Sequence, residues 1–195
     1  MYKKIIGICT VLGVLSLTGC GSAGNAEMTT IEVEKDGSLT STIVEDFEKE
    51  YYDAEDLKEY TLDIVAAYNA AEEGRKVSVS KVEVKDGVVK LLMKYPNAAD
   101  YTGFNGKEFF CGTVAEAYDN GIDLDVTLVD AIDHANKVGK SEILQMGEKK
   151  LVVLEEDVAV QVPGKILYIS EGTELIEGKS VIAHPGDGRT YIIYK

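Results

Sequence analysis

The chain has no tryptophan, two histidines and three cysteines in 195 residues. So few imidazoles and thiols leave little material for metal or nucleophile chemistry. Basic residues are also scarce, 20 Lys and Arg against 34 Asp and Glu, for a formal net charge of −14. A nucleic-acid binder needs a basic footprint to neutralise phosphates, so that class is excluded. Beyond the N-terminus there is no second apolar run of ~18 residues, which excludes a protein that crosses a membrane with several helices. What remains is ordinary globular composition, 45% apolar and 28% charged. The length suits one domain or two small lobes.

The first twenty residues read MYKKIIGICTVLGVLSLTGC. Lys3 and Lys4 form a positive start, residues 5–15 form an apolar stretch, and a short segment leads to Cys20. The stretch is too short to span a bilayer comfortably and has the charge layout of a secretory leader. Leu17-Thr18-Gly19-Cys20 resembles the lipobox of bacterial lipoproteins. The resemblance covers these residues alone and implies nothing about the fold behind them. It implies cleavage before Cys20, a diacylglyceryl group on its thiol and attachment to the cell membrane, with the domain on the extracellular or periplasmic side. Durable attachment needs about two acyl chains. Residues 1–19 are therefore expected to be the leader and residues 20–28 a lipidated, flexible tether. Loss of Lys3 and Lys4 takes the net charge from −14 to −16.

Cysteine usage follows from that expectation. Cys9 leaves with the leader and Cys20 carries lipid, so Cys111 is the one thiol left and the monomer has no internal disulfide. The core alone must hold residues 29–195, which is feasible because domains near 150 residues bury about 68–70% of their unfolded surface.

Apolar periodicity organises the rest. Residues 30–46 read as a hairpin turning at Asp36-Gly37, and residues 77–95 as a second turning at Asp86-Gly87. Val77 and Val79 are out of phase with Val82 and Val84, which predicts a bulge near Ser80-Lys81. Between the hairpins, Leu57, Tyr60, Ile64, Tyr68 and Ala71 fall on one face of a helix over 53–71. Residues 96–106, PNAADYTGFNG, read as a loop; the pattern fits either one α+β domain over 29–195 with a single sheet wrapped on the helix, or two lobes, 29–96 and 107–195, divided at this loop. A short helix is expected over 113–118, a strand with one wet face over 122–128, and one or two helical turns over 141–146. Strands then follow at 151–154, 158–162, 166–169, 180–183 and 191–194, with breaks at 155–157, 163–164, 171–178 and 185–188. The predicted class is α+β, mostly antiparallel sheet with one principal amphipathic helix and a β-rich C-terminal half.

Several groups are candidates for chemistry. Cys111 precedes a short helix and His134 is available as a base, a pairing that in residue types alone resembles cysteine peptidases that trim cell-wall peptides. Their local motifs are absent, and a buried thiol between Phe110 and Gly112 accounts for Cys111 as well. Asp119, Asp123 and Asp125, with Asp130 and Asp133, supply oxygens of the kind calcium takes, but not at EF-hand spacing. Outward acids on a half-buried strand explain them equally. His184 opens a Gly-rich loop, His-Pro-Gly-Asp-Gly-Arg, that precedes a strand, so it lacks the context of a phosphate loop. No metal or cofactor is expected.

Tyrosine is abundant, eleven in all, and tyrosine is common on recognition surfaces. Tyr51, Tyr52, Tyr101 and Phe104 are the candidates for a partner- or sugar-stacking patch. The expected function is a non-catalytic, lipid-anchored binding module for a small envelope ligand or another surface protein. The alternatives are a hydrolase acting on cell-wall material through Cys111 or an Asp pair, and an accessory or structural subunit of an envelope complex.

Overall fold

The computed structural model describes residues 26–49, 52–71, 73, 74, 76–186 and 188–195. The leader, Cys20 and Tyr51 lie outside the described residues.

Both hairpins form. Strands β1 (Thr30–Val33) and β2 (Leu39–Asp46) pair antiparallel. At their turn, the Asp36 carboxylate accepts from the Ser38 amide at 3.0 Å and the Ser38 hydroxyl at 2.6 Å. Strands β3 (Ser78–Lys85) and β4 (Val88–Tyr95) turn through Asp86 and Gly87, at φ 52° and 76°. A type I′ turn requires positive φ at both positions, and an Asp-Gly pair tolerates it. The register slips between Val79 and Lys81, at the expected bulge.

Helix α1 (Ala54–Ala71) is capped by Asp53, whose carboxylate accepts from the amides of Glu55 and Asp56 at 2.8 and 3.1 Å. Its buried face differs from the predicted one. Thr61 and Val65 are buried, with Leu57 and Tyr68 half-buried beside them, whereas Tyr60 is 66% exposed and Ile64 37%. A stripe chosen by apolarity passes over Thr61. Its hydroxyl donates to the Leu57 carbonyl at 2.7 Å, so it can be buried satisfied. The helix packs on β3.

Residues 96–106, expected as a loop, carry helix α2 (Ala98–Asn105). The Asn97 side chain caps it, accepting from the Asp100 amide at 2.8 Å, and Gly106 at φ 66° ends it. Strand β5 (Phe109–Thr113) and helix α3 (Val114–Asp119) follow, joined by a Thr113–Glu116 capping box. The strand expected over 122–128 is a correction. Only β6 (Leu128–Asp130) is regular; over 122–127 the chain joins no strand, and the Asp125 amide is taken by the Asp123 side chain at 2.9 Å instead of a ladder partner. Then come β7 (Lys137–Val138), α4 (Lys140–Gln145), β8 (Lys150–Leu154), β9 (Val158–Gln161) and β10 (Ile166–Ser170). Residues 171–178, expected as a break, contain β11 (Glu174–Glu177), and β12 (Ser180–Ala183) and β13 (Thr190–Tyr194) complete the chain. Strand β11 is an edge, where charged residues are tolerated.

The class is α+β, dominated by antiparallel sheet. One sheet has the order β11-β12-β9-β1-β2-β4-β3, the other β5-β8-β13-β10-β6-β7. The β1–β9 pair is parallel, and the other pairings are antiparallel. One buried cluster joins Ile31, Val33, Met93 and Val160 of the first sheet to Val152, Ile169 and Ile192 of the second. The other face of the second sheet, with Leu151, Val153 and Ile193, packs under Val114 and Ala117 of α3 and Ile143 of α4. Burial on both faces explains why β8 and β13 read as unbroken apolar runs. Helix α2 contacts β4 of one sheet and β5 of the other. Strands from 29–96 and from 107–195 therefore share one sheet and one core.

Candidate functional site

In the first sheet, Ile31, Val33, Leu39, Met93, Tyr95 and Val160 face the shared core. Strand alternation turns Glu32, Thr40, Lys94 and Gln161 to the opposite face. Strand pairing then aligns them. Gln161 lies opposite Glu32, Glu32 opposite Thr40 and Thr40 opposite Lys94, in one row across β9, β1, β2 and β4. The row floors an open cleft of about 690 Å³, within the size range of small-ligand sites. Lys35 and Asp36 of the first hairpin turn, Lys76 ahead of β3 and Lys179 ahead of β12 complete the rim.

The acids of this cleft are engaged and its cations are not. Gln161 Nε2 donates to Glu32 Oε1 at 3.1 Å, and Thr40 Oγ1 to Glu34 Oε1 at 3.4 Å. Ser38 satisfies Asp36 and holds its carboxyl below the usual carboxylate range. Partial burial, aided by the neighbouring Glu34 charge, pushes the Glu32 carboxyl above that range, so it retains its proton more readily. The ammonium groups of Lys35, Lys76, Lys94 and Lys179 are exposed and reach no acceptor among the described residues. In a chain of net charge −14 this is a local reversal of sign.

A second depression, of about 580 Å³, has its cation already occupied. Arg189 Nη2 donates to Glu108 Oε2 at 2.6 Å and Nε to Glu155 Oε1 at 3.4 Å, while Tyr191 donates to the Asp123 carbonyl at 2.8 Å.

The aromatic candidates lie elsewhere. Tyr101 is 4% exposed, its ring centroid 4.9 Å from that of Tyr95 and 5.2 Å from that of Phe109. Its hydroxyl donates to Glu156 Oε1 at 2.8 Å. Phe104 is half-buried against the same core, edge-on to Tyr68 at 5.4 Å. These two meet each other's neighbours in the core rather than a solvent-facing patch. Tyr52 stacks on Phe47 at 4.9 Å, with Lys49 Nζ 5.7 Å from its ring centroid.

Cys111 sits on β5 against the shared core, its Sγ 3.9 Å from the Tyr194 hydroxyl. Burial pushes its thiol up, only partly opposed by that hydroxyl, which disfavours the reactive thiolate. His134 is exposed, and His184 Nδ1 lies 2.9 Å from Asp157 Oδ1. Of the aspartates considered for calcium, Asp123, Asp130 and Asp133 accept from nearby backbone amides and Asp125 forms a surface ion pair. Asp130 Oδ1 accepts from the amides of Ile132 and Asp133, and Asp125 lies 3.6 Å from Lys140 Nζ. Among the described residues no three or more His, Cys, Asp or Glu side chains are grouped to hold a metal, and no helix is long and apolar enough to cross a membrane.

No family model, curated protein or solved structure matches this chain.

The cleft was missed from sequence because its members are scattered. Glu32 and Gln161 are 129 residues apart. The usable signal is the solvent parity of the hairpins: Glu32, Thr40 and Lys94 alternate with the apolar Ile31, Val33, Leu39, Met93 and Tyr95 along strands read as hairpins.

Proposed function

We propose that this protein is a lipid-anchored component of the cell envelope that acts by binding, with the lysine-rimmed cleft of the first sheet as its ligand seat. The observation that carries the binding reading is the contrast inside that cleft. Its carboxylates are met by Ser38, Thr40 and Gln161, while four ammonium groups are left to solvent. Catalysis has less to work with, since the Cys111 thiol is held in its protonated form by burial. The anchoring reading rests on Lys3, Lys4, the apolar run 5–15 and Leu17-Thr18-Gly19-Cys20.

Cys20→Ser tests the anchor. Cells grown with a clickable fatty acid should label the wild-type chain and leave the variant unlabelled, and the variant should move out of the membrane fraction. An unlabelled wild-type chain would remove the lipoprotein reading.

A further inference from the structure

We propose that the ligand of this cleft is an elongated molecule bearing anionic groups, phosphate or carboxylate, toward both of its ends, and that it lies across the strands. The inference rests on the cleft being the ligand seat and specifies what that seat takes. The four lysines are not clustered at one point. Lys179 stands at the β12 side, Lys94 and Lys76 at the β4 and β3 side, and Lys35 on the hairpin turn between them. From β12 to β4 there are four strand spacings, which at ~4.8 Å each set the two cationic ends about 19 Å apart at the backbone. Between them lie Lys35 and a polar floor in register, in which Gln161 donates to Glu32 and the buried Thr40 hydroxyl to Glu34, leaving the second oxygens of both side-chain carboxyls and the Gln161 carbonyl for a ligand's hydroxyl or amide donors.

A compact anion would use one end and leave the other idle. A cationic or purely neutral ligand would leave all four ammonium groups without an ion pair, since the Glu34 and Asp36 carboxylates that share the cleft are bonded to Thr40 and Ser38 and reach none of them. A chain with separated anionic groups and a hydroxyl- or amide-bearing middle uses the whole row. The overall negative charge of the protein repels anions at long range, so attraction here is short-ranged and depends on these particular lysines.

The probes are a short linear polyphosphate, an oligoglutamate and, as a neutral chain, maltohexaose, titrated calorimetrically into the detergent-solubilised full-length protein. Lys94→Gln and Lys179→Gln are exposed changes at opposite ends, and Thr40→Ala/Gln161→Ala alters the floor. Expected is binding of at least one anionic chain, weakened several-fold by either lysine change and roughly tenfold or more by both. Which anionic chain binds separates phosphate from carboxylate as the recognised group. Loss confined to one lysine would overturn the spanning arrangement. Anion binding indifferent to both lysines, or no anion binding at all, would overturn the proposal. Maltohexaose binding lost in the floor variant would, in that case, keep the cleft as a seat while refuting its anionic ligand. No binding of any probe that responds to either set of changes would count against the seat itself.

Discussion

Gly164 has no room for a side chain. A Cβ there would overlap the carbonyl oxygen of Lys195 and lie 2.6 Å from its carbon. The close approach lets Lys165 and Lys195 exchange both backbone hydrogen bonds, at 2.8 and 3.0 Å. Gly164→Ala should therefore cost about 1–3 kcal/mol, as overpacking does when backbone must move. Gly178→Ala, with open space around its Cβ, is the control. Urea midpoints that shift for the first and not the second would bear this out, and equal midpoints would refute it. The tyrosines predict an alkaline limit. Burial pushes the Tyr95 phenol up to about 12, and Tyr101 and Tyr194 are raised by the same cause. An unfolded chain ionises these phenols near pH 10. Below that pH both states hold the proton and these phenols do not change stability. Above it the unfolded state loses protons that the folded state keeps, so stability falls from pH 10 through about 12. The buried phenols should give their tyrosinate absorbance together with the loss of near-ultraviolet circular dichroism, and gradual ionisation in an intact fold would contradict this. That Tyr101 belongs to the core was not legible in PNAADYTGFNG, where the helix signals are Asn97 before Ala98, Asp100 in the first turn and Gly106 at the end. The deciding contacts come from Tyr95 and Phe109.

Element α1 was legible in extent and wrong in orientation. Its boundaries follow from the Asp53 cap and the apolar period, but two adjacent stripes, one through Tyr60 and Ile64 and one through Thr61 and Val65, compete for the core. Apolarity favours the first. Tyr68 borders both and meets Phe104 of α2, whereas Asn69, one turn on from Val65, turns the helix to the second by bonding both the amide and the carbonyl of Val77 ahead of β3, at 3.0 and 2.8 Å. Val65→Ala should cost about 1–3 kcal/mol. Ile64→Ser should stay within about 0.5 kcal/mol, the range of surface changes. Thermal midpoints of the two variants would decide, and the reverse order would return the helix to its predicted face. The hairpins were more legible because their information is local: Asp-Gly turns fix both registers, and the Val77-Val79 phase marks the bulge. Over the expected strand 122–128 the competing bond is equally local, the Asp123 side chain taking the Asp125 amide.

At the scale of the molecule the two halves are interleaved. Strand β1 lies between β2, its hairpin partner, and β9, which arrives more than a hundred residues later and runs parallel to it. The cleft exists only because of that pairing, since Gln161 reaches Glu32 across it. No pattern within either half announces such a contact, so the β9 side of the seat could not be read before the fold. The same arrangement governs stability. A fragment ending at residue 106 keeps both hairpins, α1 and α2 but removes β9, β11 and β12 from its sheet and every second-sheet residue from the shared core. It would expose one side of β1 and the inward faces of Val33, Met93 and Tyr101 to water. That fragment should lack near-ultraviolet dichroism and show no cooperative melt. The full chain should unfold in one transition in which secondary-structure and tyrosine signals coincide. A fragment that melts cooperatively on its own, or two separated transitions in the full chain, would mean that residues 29–96 and 107–195 hold themselves together independently. The parallel pairing would then be a docking contact, and the cleft would open whenever the halves part.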